Sequence, residues 1–398
     1  MEHKTRIKGN VHYVGVNDRN KHRFEGMWPL PYGVSYNSYL IDDEMVALVD
    51  TVDICYFEVY LRKIKQVIGE RPINYLIINH MEPDHSGSIR LIKQHYPEII
   101  IVGNKQTFGM IEGFYGVTGE QYLVKEGDFL ALGHHKLRFY MTPMVHWPET
   151  MMTFDETDGV LFSGDGFGCF GTVDGGFLDT RINVDKYWGE MVRYYSNIVG
   201  KYGSPVQKAL QKLGGLPISA ICSTHGPVWT ENIAKVIGIY DRLSRYDADE
   251  GVVIAYGSMY GNTEQMAEAI AEELSAQGVK NIVMHNVTKS HPSYIIADIF
   301  RYKGLIIGSP TYSNQIFPEV EALLSKILLR EVKGRYLGYF GSFTWAGAAV
   351  KRLAEFAEKS KFELVGDPVE MKQAMKDLTY TQCENLARAM ADRLEKDR

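Results

Sequence analysis

Cysteine is scarce and scattered in this chain. Cys55, Cys169, Cys222 and Cys383 form no Cys-x-x-Cys pair, which speaks against a disulfide framework, a zinc ribbon or a built-in rubredoxin-type iron site. Long apolar runs are missing too: nothing approaches the roughly 18–20 residues that span a bilayer. The first residues, Met-Glu-His-Lys-Thr-Arg, lead into polar sequence rather than an apolar signal core, so the expectation is a cytoplasmic protein with no membrane partner. No sign of charge dominates. With 43 basic against 49 acidic residues and a net −6, there is no basic stripe, and nucleic acid is not expected as a partner.

What is present suits a folded enzyme of more than one domain. At 398 residues the chain is too long for one ordinary core, and two or three domains are expected. Its 25 Tyr, 17 Phe and 5 Trp suit large cores, interfaces or a ring-shaped cofactor.

The most informative stretch is 75–88, Tyr-Leu-Ile-Ile-Asn-His-Met-Glu-Pro-Asp-His-Ser-Gly-Ser. The apolar run Leu76-Ile77-Ile78 reads as a buried strand, and it stops at His80, Glu82, Asp84 and His85. Residues two apart on an extended chain point to one side, so His80, Glu82 and Asp84 converge, with His85 turned aside unless the loop bends. A single polar loop residue is ordinarily just solvated surface. Carboxylates packed beside imidazoles are different, because they desolvate and repel one another unless a cation lies between them.

Three more strands end the same way. Residues 137–141 lead to His146, 159–164 to Asp165, and 218–222 to His225. Strand ends gather along one edge of a sandwich, so these junctions can build one site. The set is then His80, Glu82, Asp84, His85, His146, Asp165 and His225. Four imidazoles and three carboxylates exceed a structural zinc, which closes at four ligands. They suit two ions sharing a carboxylate, and nitrogen with hard oxygen suits iron or manganese as well as zinc. Trp147 and the Tyr194-Tyr195 pair either line a substrate pocket or pack a core.

After the charged turn at 247–250 the pattern changes. Strands near 252–257, 281–287, 304–309, 335–341 and 361–366 alternate with helices near 263–277, 292–302, 317–331, 346–359 and 380–396. Such alternation implies a doubly wound parallel sheet, which binds ligands at the carboxyl ends of its strands. The first such end carries Ser258-Met259-Tyr260-Gly261-Asn262-Thr263. Hydroxyls and a Gly-bearing turn at a helix N-terminus make a phosphate cradle, or else an ordinary turn with Thr as N-cap. No Lys follows in the Walker manner, and a dinucleotide fingerprint is absent. Two further strand ends, Ser309-Pro310-Thr311-Tyr312-Ser313-Asn314 and Gly341-Ser342-Phe343-Thr344-Trp345-Ala346-Gly347, place Tyr312 and Trp345 among small and hydroxyl residues. Aromatics so placed are apt to flank a flat ring.

These three loops together resemble a flavodoxin domain binding FMN. The order His-x-Glu-x-Asp-His, His, Asp, His resembles the metallo-β-lactamase superfamily, with Glu82 where the zinc hydrolases have His. The tandem, in this order, resembles the flavodiiron family. The resemblance implies a metallo-β-lactamase-like αββα sandwich over 1–249 and a flavodoxin-like doubly wound sheet over 250–398. It implies that His80, Glu82 and His146 hold one iron, Asp84, His85 and His225 the other, with Asp165 bridging. The anionic Glu82 in place of a neutral imidazole favours Fe(III). The catalytic unit is the diiron centre with Glu82 and Asp165. FMN falls to Ser258, Met259, Tyr260, Gly261, Asn262, Thr263, Ser309, Pro310, Thr311, Tyr312, Asn314, Ser342, Phe343, Thr344, Trp345 and Gly347. The implied activity is reduction of O₂ to water and/or NO to nitrous oxide, O₂ being placed slightly ahead. Electrons come from a separate rubredoxin-like protein, another reductase or a reduced deazaflavin. The implied assembly is a head-to-tail homodimer or a dimer of dimers. Two other classes compete: a zinc hydrolase with a flavodoxin appendage, and an electron-transfer module with a structural metal site. Metal analysis separates the first, and gas turnover the second.

Overall fold

The computed structural model describes residues 4–397. The chain divides into two compact units, one ending at Ser244 and the other beginning at Arg245, a few residues ahead of the 249/250 division read from the sequence.

The N-terminal unit is built on two sheets. The first runs, in spatial order, Arg6–Lys8, Val11–Tyr13, Tyr39–Ile41, Ala47–Val49, Tyr75–Ile77, Ile100–Gly103 and Gln121–Leu123. The hairpin expected around Asp42-Asp43-Glu44 is there, with Leu40 opposite Leu48. From Ala47–Val49 onward the pairing is parallel, and Leu76, Ile77 and Ile78 are fully buried, as a continuous apolar run requires of a strand covered on both faces. The second sheet runs Phe129–Ala131, Lys136–Met141, Met151–Asp155, Val160–Gly164 and Ala220–Ser223. Its first three pairs are antiparallel and the last is parallel.

Alternate side chains of both sheets meet in one core, where Ile41, Val49, Ile77 and Val102 pack with Leu137, Phe139, Phe162 and Cys222. Helices are excluded from this layer and cover the sheets. Helix Phe57–Ile68 buries Phe57, Tyr60, Leu61, Ile64 and Ile68, a stripe at helical spacing, and stops at Gly69 with φ +63°. The consequence for function lies in the parallel pairs. Ala47–Val49 and Tyr75–Ile77 end on one edge, as do Val160–Gly164 and Ala220–Ser223, and the polar junction residues follow these ends.

The C-terminal unit is a parallel sheet in the order Ile282–Asn286, Asp249–Tyr256, Tyr302–Tyr312, Tyr336–Phe343 and Glu363–Leu364. The strand order reverses beside Asp249–Tyr256, the topological switch point where such sheets bind ligands. Helices Asn262–Ala276, Pro292–Arg301, Pro318–Arg330, Ala349–Ser360 and Asp377–Glu395 alternate with the strands as expected. The fifth strand differs from the expected 361–366. It shrinks to Glu363–Leu364, and a second segment, Val369–Lys372, pairs farther along the same neighbour. The cause is local: Gly366 takes φ +70°, and Pro368 two residues on cannot donate to a ladder. Among the described residues no helix is long and apolar enough to cross a membrane.

Candidate metal centre and cofactor cleft

Each polar junction is held by its own local device. Asp50, with φ +52° at the end of its strand, accepts from the backbone N–H of Asn79 at 2.8 Å and from its side-chain amide at 3.0 Å. Thr153 of the second sheet donates to Asn79 Oδ1 at 2.8 Å, so the two sheets are tied just before His80. Beyond it the chain does not stay extended. Pro83 sits at the first position of a short helix, Pro83–Ser86, with Glu82 at its N-cap. This bend corrects the extended-chain expectation, for it turns His85 inward rather than aside.

All seven residues from the sequence gather in one buried cluster, none more than 8% exposed. Asp165 is its centre. Its Oδ2 lies 3.0 Å from His146 Nε2 and 3.8 Å from His80 Nε2, and Glu82 Oε2 lies 3.2 Å from His146 Nε2. Its Oδ1 lies 3.0 Å from His85 Nε2 and 3.6 Å from His225 Nε2. Asp84 stands 3.3 Å from each of those two imidazoles, through Oδ1 and Oδ2 respectively. One carboxylate therefore faces two separate triads, one through each oxygen.

The donor atoms fit metal ions better than they fit one another. Both oxygens of Asp84, both ring nitrogens of His85 and Nε2 of His225 are buried without an aligned hydrogen bond, although opposite-charge partners stand within reach. His80 and His146 bring their Nε2 atoms to 3.3 Å, both pointed at common space. Electrostatics says the same. Burial disfavours charge on His85 and His146, yet the carboxylates around them, Asp84 and Asp165 for His85 and Asp165 and Glu82 for His146, push both up to about 10. Asp165 is held well below the usual carboxylate range: burial opposes this, and the imidazoles of His85, His80 and His146 outweigh it. Asp84 goes the other way, raised by burial with Glu82 and Asp165 adding repulsion. A pocket that draws protons onto its imidazoles is a pocket short of positive charge, which two cations supply.

Most of the surrounding shell was not legible in the sequence. Glu149 accepts from His80 Nδ1 at 2.7 Å, and His225 Nδ1 donates to the Ser35 carbonyl at 2.8 Å. Thr224 Oγ1 donates to Asp165 Oδ1. Tyr194, left open between pocket and core, donates its phenol to Asp165 Oδ2 at 2.8 Å; burial foremost, then the Asp165 charge, keeps it protonated. Trp147 packs edge-on against His80 at 5.3 Å between ring centroids. Tyr195 packs edge-on against Tyr240 in the core at 5.0 Å.

The C-terminal unit carries a cavity of about 350 Å³ at the carboxyl ends of its strands. Met259, Tyr260, Asn262, Thr263, Pro310, Thr311, Tyr312, Asn314, Ser342, Phe343, Thr344 and Trp345 line it, joined by Ser313, Ala346 and Gln373. Ser258, Gly261, Ser309 and Gly347 do not line it and instead shape its loops. Ser258 Oγ accepts from Gly261 N at 3.1 Å, and Gly261, at φ +90°, occupies the N-cap that was assigned to Thr263 as an alternative. Ser309 Oγ accepts from Phe317 N at 3.3 Å. A Cβ on Gly347 would fall 2.5 Å from Glu370 Oε1. Thr263 instead shares a 2.8 Å hydroxyl contact with Ser342. Tyr260 and Trp345 are 91% and 81% exposed, open aromatic faces beside a helix N-terminus, which fits a flat ring with a phosphate tail.

Comparisons with known proteins agree with this geometry. The family described as ODP family beta lactamase matches residues 34–226, and that described as Flavodoxin matches 254–386. An anaerobic nitric oxide reductase flavorubredoxin of Vibrio vulnificus is 32% identical over 363 residues, covering 90% of this chain and 73% of that protein. The rubredoxin oxygen:oxidoreductase of Desulfovibrio gigas superposes with a TM-score of 0.95 at 31% identity, over 98% of both chains. The flavodiiron protein of Giardia intestinalis superposes with a TM-score of 0.91 at 27% identity, over 98% of this chain and 97% of that one.

Proposed function

The chain belongs to the flavodiiron family, and from that premise we propose that it takes electrons from a separate donor through FMN to a non-haem iron pair that reduces O₂ to water and/or NO to nitrous oxide, with a slight preference for O₂. It is an oxidoreductase whose cofactors are FMN and two irons. When bound, FMN supplies electron relay and the iron pair supplies the place where the gas is reduced. The remaining work belongs to the protein.

His80, Glu82 and His146 would hold one iron, Asp84, His85 and His225 the other, and Asp165 would bridge. The observation that carries the reading is Asp165 itself, each oxygen turned to a different triad. Tyr194 and Thr224 donate to those same oxygens and so fix the carboxylate plane. Glu82 and Asp84 place one anion in each triad, and the buried walls keep bulk water from competing for open positions. In the other unit, Thr263 and Ser342, whose hydroxyls meet near the helix start, would hold the phosphate, and Tyr260, Tyr312 and Trp345, which line the same cavity, would offer faces to the ring. The donor in this reading is of rubredoxin type, as the names of the Vibrio and Desulfovibrio relatives suggest. The assembly is a head-to-tail homodimer or a dimer of such dimers.

The test is anaerobic gas consumption by protein reduced through its flavin, with O₂ and NO electrodes in parallel and iron and FMN counted on the same sample. Consumption with about two irons and one FMN per chain is the expected result. Full loading with neither gas consumed would sink the reading, and NO consumed faster than O₂ would reverse the preference.

A further inference from the structure

The two triads differ in the groups that stand behind their imidazoles, and behind His80 stands Glu149. Its side chain is 1% exposed. Oε1 accepts from His80 Nδ1 at 2.7 Å and from Met81 N at 2.8 Å, while Oε2 is buried without a hydrogen-bond partner. The backbone carbonyl of Glu149 is fixed in turn by the Asn104 side-chain amide at 2.6 Å. Glu149 stands three residues after His146 on the same loop, so one carboxylate ties the ligand loop of the second sheet to the strand end of the first.

Across the site the arrangement differs. His225 Nδ1 meets a neutral backbone carbonyl, that of Ser35, and His85 Nδ1 has no partner among the described residues. Asp50, the other buried carboxylate close by, turns its oxygens to Asn79 and the backbone N–H of His80 rather than to a ligand ring. A carboxylate on the far nitrogen of a ligating imidazole sets the tautomer, raises the basicity of the ligating nitrogen and adds negative charge one shell out.

Resting on the diiron reading above, we propose that Glu149 is a positioning residue that holds His80 with Nε2 toward its iron and makes the His80–Glu82–His146 half the more strongly ferric of the two. Signal in the sequence was slight: Trp-Pro-Glu-Thr after His146 looks like any polar turn.

The experiment uses the full chain with FMN, loaded with ⁵⁷Fe and reduced stepwise by dithionite under mediators, followed by Mössbauer spectroscopy. The wild type is expected to show two irons that accept their electrons at different potentials. Glu149→Gln keeps an oxygen to accept from His80 but removes the charge. It should retain both irons while the lower potential rises toward the other. Glu149→Ala removes both contributions and should weaken retention of one iron by about 10–100-fold in a chelator competition. Unmoved potentials in Glu149→Gln, or two irons of one potential in the wild type, overturn the assignment; the second measurement needs no variant to fold. A wild-type chain that binds no iron pair would sink the diiron reading itself and is seen before any variant is made.

Discussion

At the scale of single residues, the centre depends on Asp165 more than on any other group. Asp165→Ala should abolish gas reduction and lower iron well below two per chain while FMN content stays at wild-type level; both irons retained would remove its bridging role. Tyr194→Phe deletes one donor to that ionised carboxylate, so stability should fall by about 1.5–3 kcal/mol in urea unfolding with iron still bound. Outside the site, His135 Nδ1 pairs with buried Asp155 at 2.9 Å. Burial disfavours its charge, and the Asp155 hydrogen bond and neighbouring carboxylates outweigh that and raise its pKa. A raised folded pKa contributes stability that is fully present below the unfolded value, about 6.5, and lost as pH rises through the folded one. The stability difference between wild type and His135→Gln, measured in urea across pH, should therefore be largest on the acid side and shrink on the alkaline side. Ligand-type residues were legible because His, Glu and Asp at strand ends have few reasons to cluster. Glu149 was not, and Tyr194 was left open between pocket and core, because a glutamate in a turn and a tyrosine in a helix read the same whether they face core, solvent or metal.

At the scale of elements, periodicity carried most of the information. Helix Phe57–Ile68 shows its apolar stripe directly, and Ile64, fully buried there, should cost about 2–5 kcal/mol of stability when changed to Ala. Chemical denaturation reads that loss, and a change under 1 kcal/mol would mean the helix does not pack as described. Where periodicity gives out, the reading failed in ways with physical causes. Four residues, Pro83–Ser86, are too few to display a helical repeat, yet their turn is what brings His85 beside Asp165. The split at Gly366 and Pro368 hid Val369–Lys372, and with it Gln373, which lines the cavity from the far end of that segment.

At the scale of the whole molecule, the tandem order of the two units was legible because the alternation of strand and helix after residue 250 differs so plainly from the short strands before it. Each unit has its own apolar core. A fragment starting at Arg245 should therefore fold alone and bind FMN, quenching flavin fluorescence, whereas one ending at Ser244 should hold iron but accept no electrons from a flavin-directed donor. No single residue carries the slight preference given to O₂, since the same ligands serve both gases and the groups around them are scattered along the chain. Two irons on opposite sides of one carboxylate would show themselves in anomalous diffraction at the iron edge from crystals of the loaded protein. Two peaks are expected, one among His80, Glu82 and His146 and one among Asp84, His85 and His225, with Asp165 between them. A single peak, or peaks that vanish at the iron edge and appear at the zinc edge, would contradict that placement.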